Sequence, residues 1–193
     1  MELQGPAGYL ESRFTPGGPA AAVLAPPHPQ FGGNMDNPAV RVMESCLQEA
    51  GMTTLCFNFR GTGASAGKQT GDMQECMDDY RTALDALARD HTAPLLAAGY
   101  SWGGLTAAAL GDDPRIGSLL LLAPPPGRLE LTSGDKPVHL IYGSDDNFAE
   151  PDALARLADR PATSLATIDG ADHFFSTGGL DELAVLVRQI ISP

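Results

Sequence analysis

The feature that most constrains the fold is an unbroken apolar run in the middle of the chain, Leu119–Ala123. A strand that is apolar on both of its alternating faces must be covered on both sides, as in a parallel sheet flanked by helices. Similar short apolar runs alternate along the chain with longer segments of helical periodicity. The predicted strands are 20–25, 53–59, 94–98, 118–123, 138–143 and 164–168, and the predicted helices are 38–50, 73–89, 105–110, 152–158 and 180–191. This alternation predicts an α/β fold, with a mostly parallel central sheet and helices on both faces.

The N-terminal segment predicts a different kind of pairing. Tyr9–Phe14 alternates apolar and polar residues, Pro16–Pro19 is a turn sequence, and 20–25 follows as a strand. We expect these two strands to form an antiparallel hairpin at the start of the sheet. The chain has 193 residues and no linker-like stretch, so we expect one domain over residues 1–193.

The composition limits the partners of the protein. A formal net charge of -12 repels phosphate backbones, so we expect no nucleic-acid binding. No apolar run approaches the ~20 residues of a membrane helix, and the first residues do not resemble a signal peptide. Three unpatterned cysteines suit a reducing compartment and suggest no zinc site. We therefore expect a cytoplasmic protein without metal or cofactor, as a monomer or homodimer.

The strongest chemical motif is the G-x-S-x-G sequence at residues 99–103, Gly-Tyr-Ser-Trp-Gly. It lies between the predicted strand 94–98 and a helical run at 105–110. This order predicts a nucleophile elbow, in which a sharp turn lifts the Ser101 hydroxyl into a cleft. Small flanking residues are needed because the turn is strained and packs closely against its neighbours.

A serine nucleophile needs a base and an acid that orients the base. His173 follows the strand 164–168, and it is the histidine that best fits the chain order Ser, acid, His. Asp146 follows the strand 138–143 and is preferred as the acid. Asp145 and Glu130 are the alternatives, and all of these positions lie at the carboxyl ends of predicted strands.

An oxyanion hole needs two N–H groups directed at the oxygen of the tetrahedral intermediate. The amide of Trp102, directly after the serine, is expected to supply one. The loop after strand 20–25 is expected to supply the other, from Gln30 or alternatively Phe31, because Pro29 has no N–H. We expect His28 to shape the wall of the site.

Five segments of the chain carry a family resemblance: 28–37 (HPQFGGNMDN), 57–65 (FNFRGTGAS), 99–103, 123–125 (APP) and 170–175 (GADHFF). Together they resemble a compact bacterial group of α/β-hydrolases related to dienelactone hydrolases. This resemblance implies an α/β-hydrolase fold and a triad of Ser101, Asp146 and His173. Because a serine stands where dienelactone hydrolases carry a cysteine, it does not imply their lactone substrate.

The connection between strands 118–123 and 138–143 is too short for a helical cap, at ~15 residues. We therefore expect an open site, with Phe31, Phe148 and Phe174 as apolar walls of the substrate pocket. The function expected from the sequence is hydrolysis of a small or medium carboxylic ester through an acyl-enzyme. An amide, peptide or thioester hydrolase with the same triad, or a binding protein on a hydrolase fold, are the alternatives.

Overall fold

The computed structural model describes residues 2–131 and 135–192 of the protein. Its strands are β1 (Leu3–Gly5), β2 (Gly8–Leu10), β3 (Ser12–Thr15), β4 (Ala21–Ala25), β5 (Thr53–Phe57), β6 (Leu95–Tyr100), β7 (Ile116–Leu122), β8 (Val138–Gly143) and β9 (Thr163–Ile168). Its α-helices are α1 (Pro38–Glu49), α2 (Met73–Ala88), α3 (Trp102–Ala109), α4 (Pro151–Ala158) and α5 (Leu180–Ile191). In the described residues, β3 to β9 form a seven-stranded sheet in the order β3-β5-β4-β6-β7-β8-β9.

The sheet is parallel from β5 to β9, with β3 antiparallel at one edge. The connection β4-α1-β5 moves along the sheet in one direction, whereas β5-α2-β6 returns in the other. Because such crossovers are right-handed, α1 and α2 lie on opposite faces. The connections through α3 and α4 run in the same direction as that through α2, and α5 packs beside α1. The predicted α/β architecture is therefore confirmed.

The predicted N-terminal hairpin is wrong. Ser12–Thr15 pairs antiparallel with β5 rather than with β4, and β1 and β2 form a separate two-stranded sheet. Both edges of β4 are occupied by the parallel strands β5 and β6. The turn after Thr15 therefore carries the chain past the position of β5 to reach β4. Local alternation predicted a strand here, but its partner lies about 40 residues further along the chain.

The other elements agree with the sequence to within a few residues, because local signals determine their ends. The side chain of Asn37 accepts a hydrogen bond from the amide of Ala39 at the start of α1, with Pro38 at the first helical position, as expected of this cap. All six residues of the central strand β6 are buried. In the edge strand β9, only Ile168 is fully buried.

A buried ion pair fixes the long loop after β5. The Asp79 carboxylate on α2 accepts hydrogen bonds from the backbone amide and the guanidinium of Arg60. Asp79 is fully buried, and Arg60 is 7% exposed. The three cysteines are buried and free. Within the described parts of the chain, none of the helices has the length and apolar character needed to cross a membrane.

Candidate active site

Ser101 occupies a sharp turn between β6 and α3, with φ 52° and ψ -110°. A positive φ is uncommon for a non-glycine residue and marks a strained backbone at functional sites. A Cβ at Gly99 would lie 2.3 Å from the backbone of Gly103, and one at Gly103 would lie 2.4 Å from the Ala25 carbonyl oxygen. The two glycines of the motif are therefore required by close backbone packing. The helix begins at Trp102, three residues earlier than predicted.

The structure brings Ser101 together with His173 and Asp146. The Ser101 Oγ lies 3.0 Å from His173 Nε2, and His173 Nδ1 lies 2.8 Å from Asp146 Oδ2. The histidine and aspartate side chains are 8% and 1% exposed. The three side chains thus form a continuous hydrogen-bonded chain from a buried carboxylate to a serine hydroxyl.

The surrounding backbone holds the carboxylate in position. Asp146 Oδ1 accepts a hydrogen bond from the amide of Phe148, at 2.8 Å. Its other oxygen remains to accept from His173. An ionised carboxylate only accepts hydrogen bonds, so the proton of a neutral His173 is assigned to Nδ1. The lone pair on Nε2 then faces the Ser101 hydroxyl, as a general base requires.

The alternative acids do not reach this histidine. Asp145 is exposed and accepts a hydrogen bond from the Ser144 hydroxyl. Glu130 is exposed on the loop after β7. Asp172, next to the histidine in sequence, accepts hydrogen bonds from the Ser176 amide and hydroxyl, and those bonds lower its pKa. Asp146 is the carboxylate that contacts His173.

The two expected oxyanion donors differ in their surroundings. Trp102 is the first residue of α3, where a backbone N–H has no acceptor within the helix. The amide of Gln30, by contrast, donates to His28 Nδ1 at 3.2 Å. The amide of Phe31 donates to the His28 carbonyl oxygen at 3.1 Å. Either loop amide would have to break its present hydrogen bond before it could donate to an oxyanion.

The three expected pocket residues are exposed, and they lie against two different histidines. Phe148 is 48% and Phe174 69% exposed, and their ring centroids lie 4.5 and 5.2 Å from that of His173. Phe31 is 87% exposed and lies against His28 instead, at 4.8 Å. An open groove of about 510 Å³ is lined by Glu11, Pro29, Gly32, Asn34, Asp36, Asn58, Thr62, Gly63 and Gln69, and none of the expected site residues lines it.

Two residues near the site escaped the sequence analysis. The Tyr100 hydroxyl donates to the carbonyl oxygen of His173 at 2.5 Å and fastens the histidine loop to the end of β6. Burial, followed by the charge of Asp146, raises the pKa of Tyr100, so this hydroxyl keeps its proton. Arg128 places its guanidinium carbon 5.4 Å from the centroid of the Trp102 ring. Tyr100 occupies a variable position of G-x-S-x-G, and no local pattern marks Arg128.

Comparison with known proteins identifies the group to which these features belong. Residues 28–184 match the family described as alpha/beta hydrolase domain. The chain belongs to the α/β-hydrolase family. An uncharacterized protein of Rickettsia prowazekii is 32% identical, over 90% of this chain and 80% of its own length.

Two solved structures resemble this α/β-hydrolase closely. An alpha-beta serine hydrolase homologue from Coxiella burnetii is 28% identical, with a TM-score of 0.89 over 100% of this chain and 96% of its own. A serine hydrolase without a lid from Xanthomonas campestris is 25% identical, with a TM-score of 0.86 over 98% of this chain and 91% of its own. These findings confirm the expected α/β-hydrolase fold.

The described residues also contain no cap domain. After β7, the chain forms one 3-10 turn over Pro126–Arg128 within residues 123–131 and 135–137. The rest of the expected short connection, 132–134, lies outside the described residues. The predicted absence of a helical lid is consistent with the lidless relative.

Proposed function

We propose that this α/β-hydrolase is a serine esterase that cleaves small or medium carboxylic esters through an acyl-enzyme. The observation that carries the proposal is the chain of contacts from Asp146 through His173 to Ser101, at 2.8 and 3.0 Å. Each member lies at the carboxyl end of its own strand, where ligands bind in open α/β sheets. A structural role would not require a strained, positive-φ serine beside a buried imidazole–carboxylate pair.

In the first half of the reaction, the Ser101 oxygen attacks the carbonyl carbon of the ester while its proton moves to His173 Nε2. The electron pair of the carbonyl moves to its oxygen, which becomes the oxyanion. Asp146 stabilises the imidazolium that forms. When the oxyanion collapses, the bond to the leaving oxygen breaks, and His173 gives its proton to that oxygen.

In the second half, water attacks the acyl-enzyme, and its proton moves to His173 Nε2. Collapse of the second tetrahedral intermediate breaks the bond to the serine oxygen, which takes the proton back. The amide of Trp102 is the proposed oxyanion donor on the elbow side. Gln30 supplies the second N–H once its bond to His28 is exchanged for the stronger one to an anion.

The apolar residues beside the histidine support an ester with an apolar part. Phe148 and Phe174 present exposed rings next to His173, and contact with a substrate would remove that apolar surface from water. Because no cap closes over the described site, we propose substrates of small or medium size that reach the serine from solvent.

The proposal is tested by p-nitrophenyl butyrate hydrolysis with wild-type protein and Ser101→Ala. We expect the variant to lose activity by at least about 10³-fold, because it removes the nucleophile. Ser118→Ala is the matched control, since Ser118 lies in β7 far from its carboxyl end. Equal rates for wild type and Ser101→Ala would refute an esterase. A matched ester, amide and thioester of one acyl group would then establish which bond is preferred.

A further inference from the structure

The turn after β7 places a positive charge over the ring of Trp102, the residue that follows the proposed nucleophile. Arg128 ends the 3-10 turn Pro126–Arg128, and its guanidinium carbon lies 5.4 Å from the centroid of the Trp102 ring. This distance is within the range of a cation–π contact. Trp102 directly follows Ser101, so the guanidinium is held over the residue next to the nucleophile. The Arg128 residue itself is exposed and open to a ligand.

Most other arginines of this acidic chain have a carboxylate partner. Arg13, Arg41, Arg60, Arg81, Arg115 and Arg188 each form ion pairs. No carboxylate oxygen of residues 2–131 and 135–192 lies within 4.0 Å of the Arg128 guanidinium. The nearby Glu150 carboxylate instead accepts from the Gly127 amide at 2.9 Å. Within the described residues, Arg89 and Arg156 also form no ion pair, and Arg128 differs from them in lying against the Trp102 ring.

The imidazole ring of His28 also lies against Trp102, but it does not carry a positive charge. His28 lies 4.6 Å from the indole, centroid to centroid, and accepts a hydrogen bond at Nδ1 from Gln30. Burial, followed by the charge of Arg128, lowers the pKa of His28, so its ring is neutral at neutral pH. Of the two groups that lie against the Trp102 ring, Arg128 therefore carries the positive charge.

We propose that Arg128 binds a carboxylate of the substrate, so that the preferred ester carries an ionised carboxylate in addition to the ester group. A guanidinium presents its donors in a planar fork that matches a carboxylate. In a chain of net charge -12, an anionic substrate needs a local positive charge at its binding site. The inference rests on the proposed esterase function and adds the class of ester.

The sole tryptophan of the chain gives a direct assay. In a Ser101→Ala background, which blocks turnover, Trp102 fluorescence is titrated at pH 7.5 and low salt with monomethyl succinate and with neutral dimethyl succinate. We expect the anion to bind about fivefold more tightly, the upper end of the effect of an exposed charge pair. Added salt should reduce this preference.

Two charge-matched variants complete the test. Arg128→Gln should abolish the preference for the monoester. Arg89→Gln should retain it, because Arg89 follows the end of α2 that leads to the amino end of β6, away from the site. The proposal is overturned if the protein binds the monoester no more tightly than the neutral diester. It is also overturned if the preference for the monoester persists in Arg128→Gln. Hydrolysis of neutral esters by wild-type protein would still leave the proposed esterase function standing.

Discussion

Replacing Asp146 by asparagine tests the proposed triad at its buried end. The contact between Asp146 Oδ2 and His173 Nδ1 is 2.8 Å, and both side chains are buried. Two unit charges about 4 Å apart attract by about 4 kcal/mol at an effective dielectric constant of about 20. Because the imidazolium forms only during reaction, Asp146→Asn loses this attraction in the transition state. That loss corresponds to about 10³-fold in kcat.

The substitution also changes which ring nitrogen of His173 carries the proton. An asparagine N–H that faces Nδ1 favours the proton on Nε2, the nitrogen that must accept from Ser101. The assay is kcat for p-nitrophenyl butyrate, with folding checked by circular dichroism. Asp145→Asn is the matched control, because it removes the same charge from the adjacent, exposed residue. We expect that control to stay within about twofold. A loss below tenfold in Asp146→Asn, or equal losses in both variants, would refute the reasoning.

Three further predictions concern the supports of the site. Tyr100→Phe leaves the buried His173 carbonyl without its donor and should lower the free energy of unfolding by about 1–3 kcal/mol in urea titrations; an unchanged midpoint would contradict this. Asp79→Ala leaves the Arg60 guanidinium with the half-exposed Glu75 as its remaining carboxylate partner and should cost about 3 kcal/mol, of which the double variant Asp79→Ala/Arg60→Met should recover a large part. Because burial lowers the pKa of His28 from 6.5, the imidazole should titrate below that value by NMR. Its contribution to stability is then present above about pH 6.5 and is lost as the pH falls through the lowered value. A midpoint at or above 6.5 would show that the ring is not desolvated.

The sequence predicted what depends on local pattern. The cap at Asn37 and the elbow at Ser101 depend on residues within a few positions of each other, so motif and periodicity located them. The choice of Asp146 over Asp145 agrees with the contact to His173, although neighbouring aspartates differ only in the direction of their side chains. That direction follows from the hydrogen bond of the Phe148 amide.

The features that the sequence did not predict depend on contacts between distant segments. The antiparallel partner of Ser12–Thr15 is β5, which is separated from it by β4 and α1. The donor to the His173 carbonyl is Tyr100, which is 73 residues away. The guanidinium of Arg128 meets Trp102 through the turn after β7. No local composition encodes such pairings.

The position of β9 at the sheet edge has a consequence for inactivation. In the sheet formed by the described residues, the strand leading to His173 pairs with one other strand and is mostly half-exposed, whereas β6, which leads to Ser101, is central and buried. Local opening of a protein begins in its weakly protected segments, at lower free energy than global unfolding. Fraying of β9 would carry the imidazole away while the nucleophile stayed in place. On heating, catalytic activity should therefore be lost before the helices unfold. This first loss of activity should be reversible.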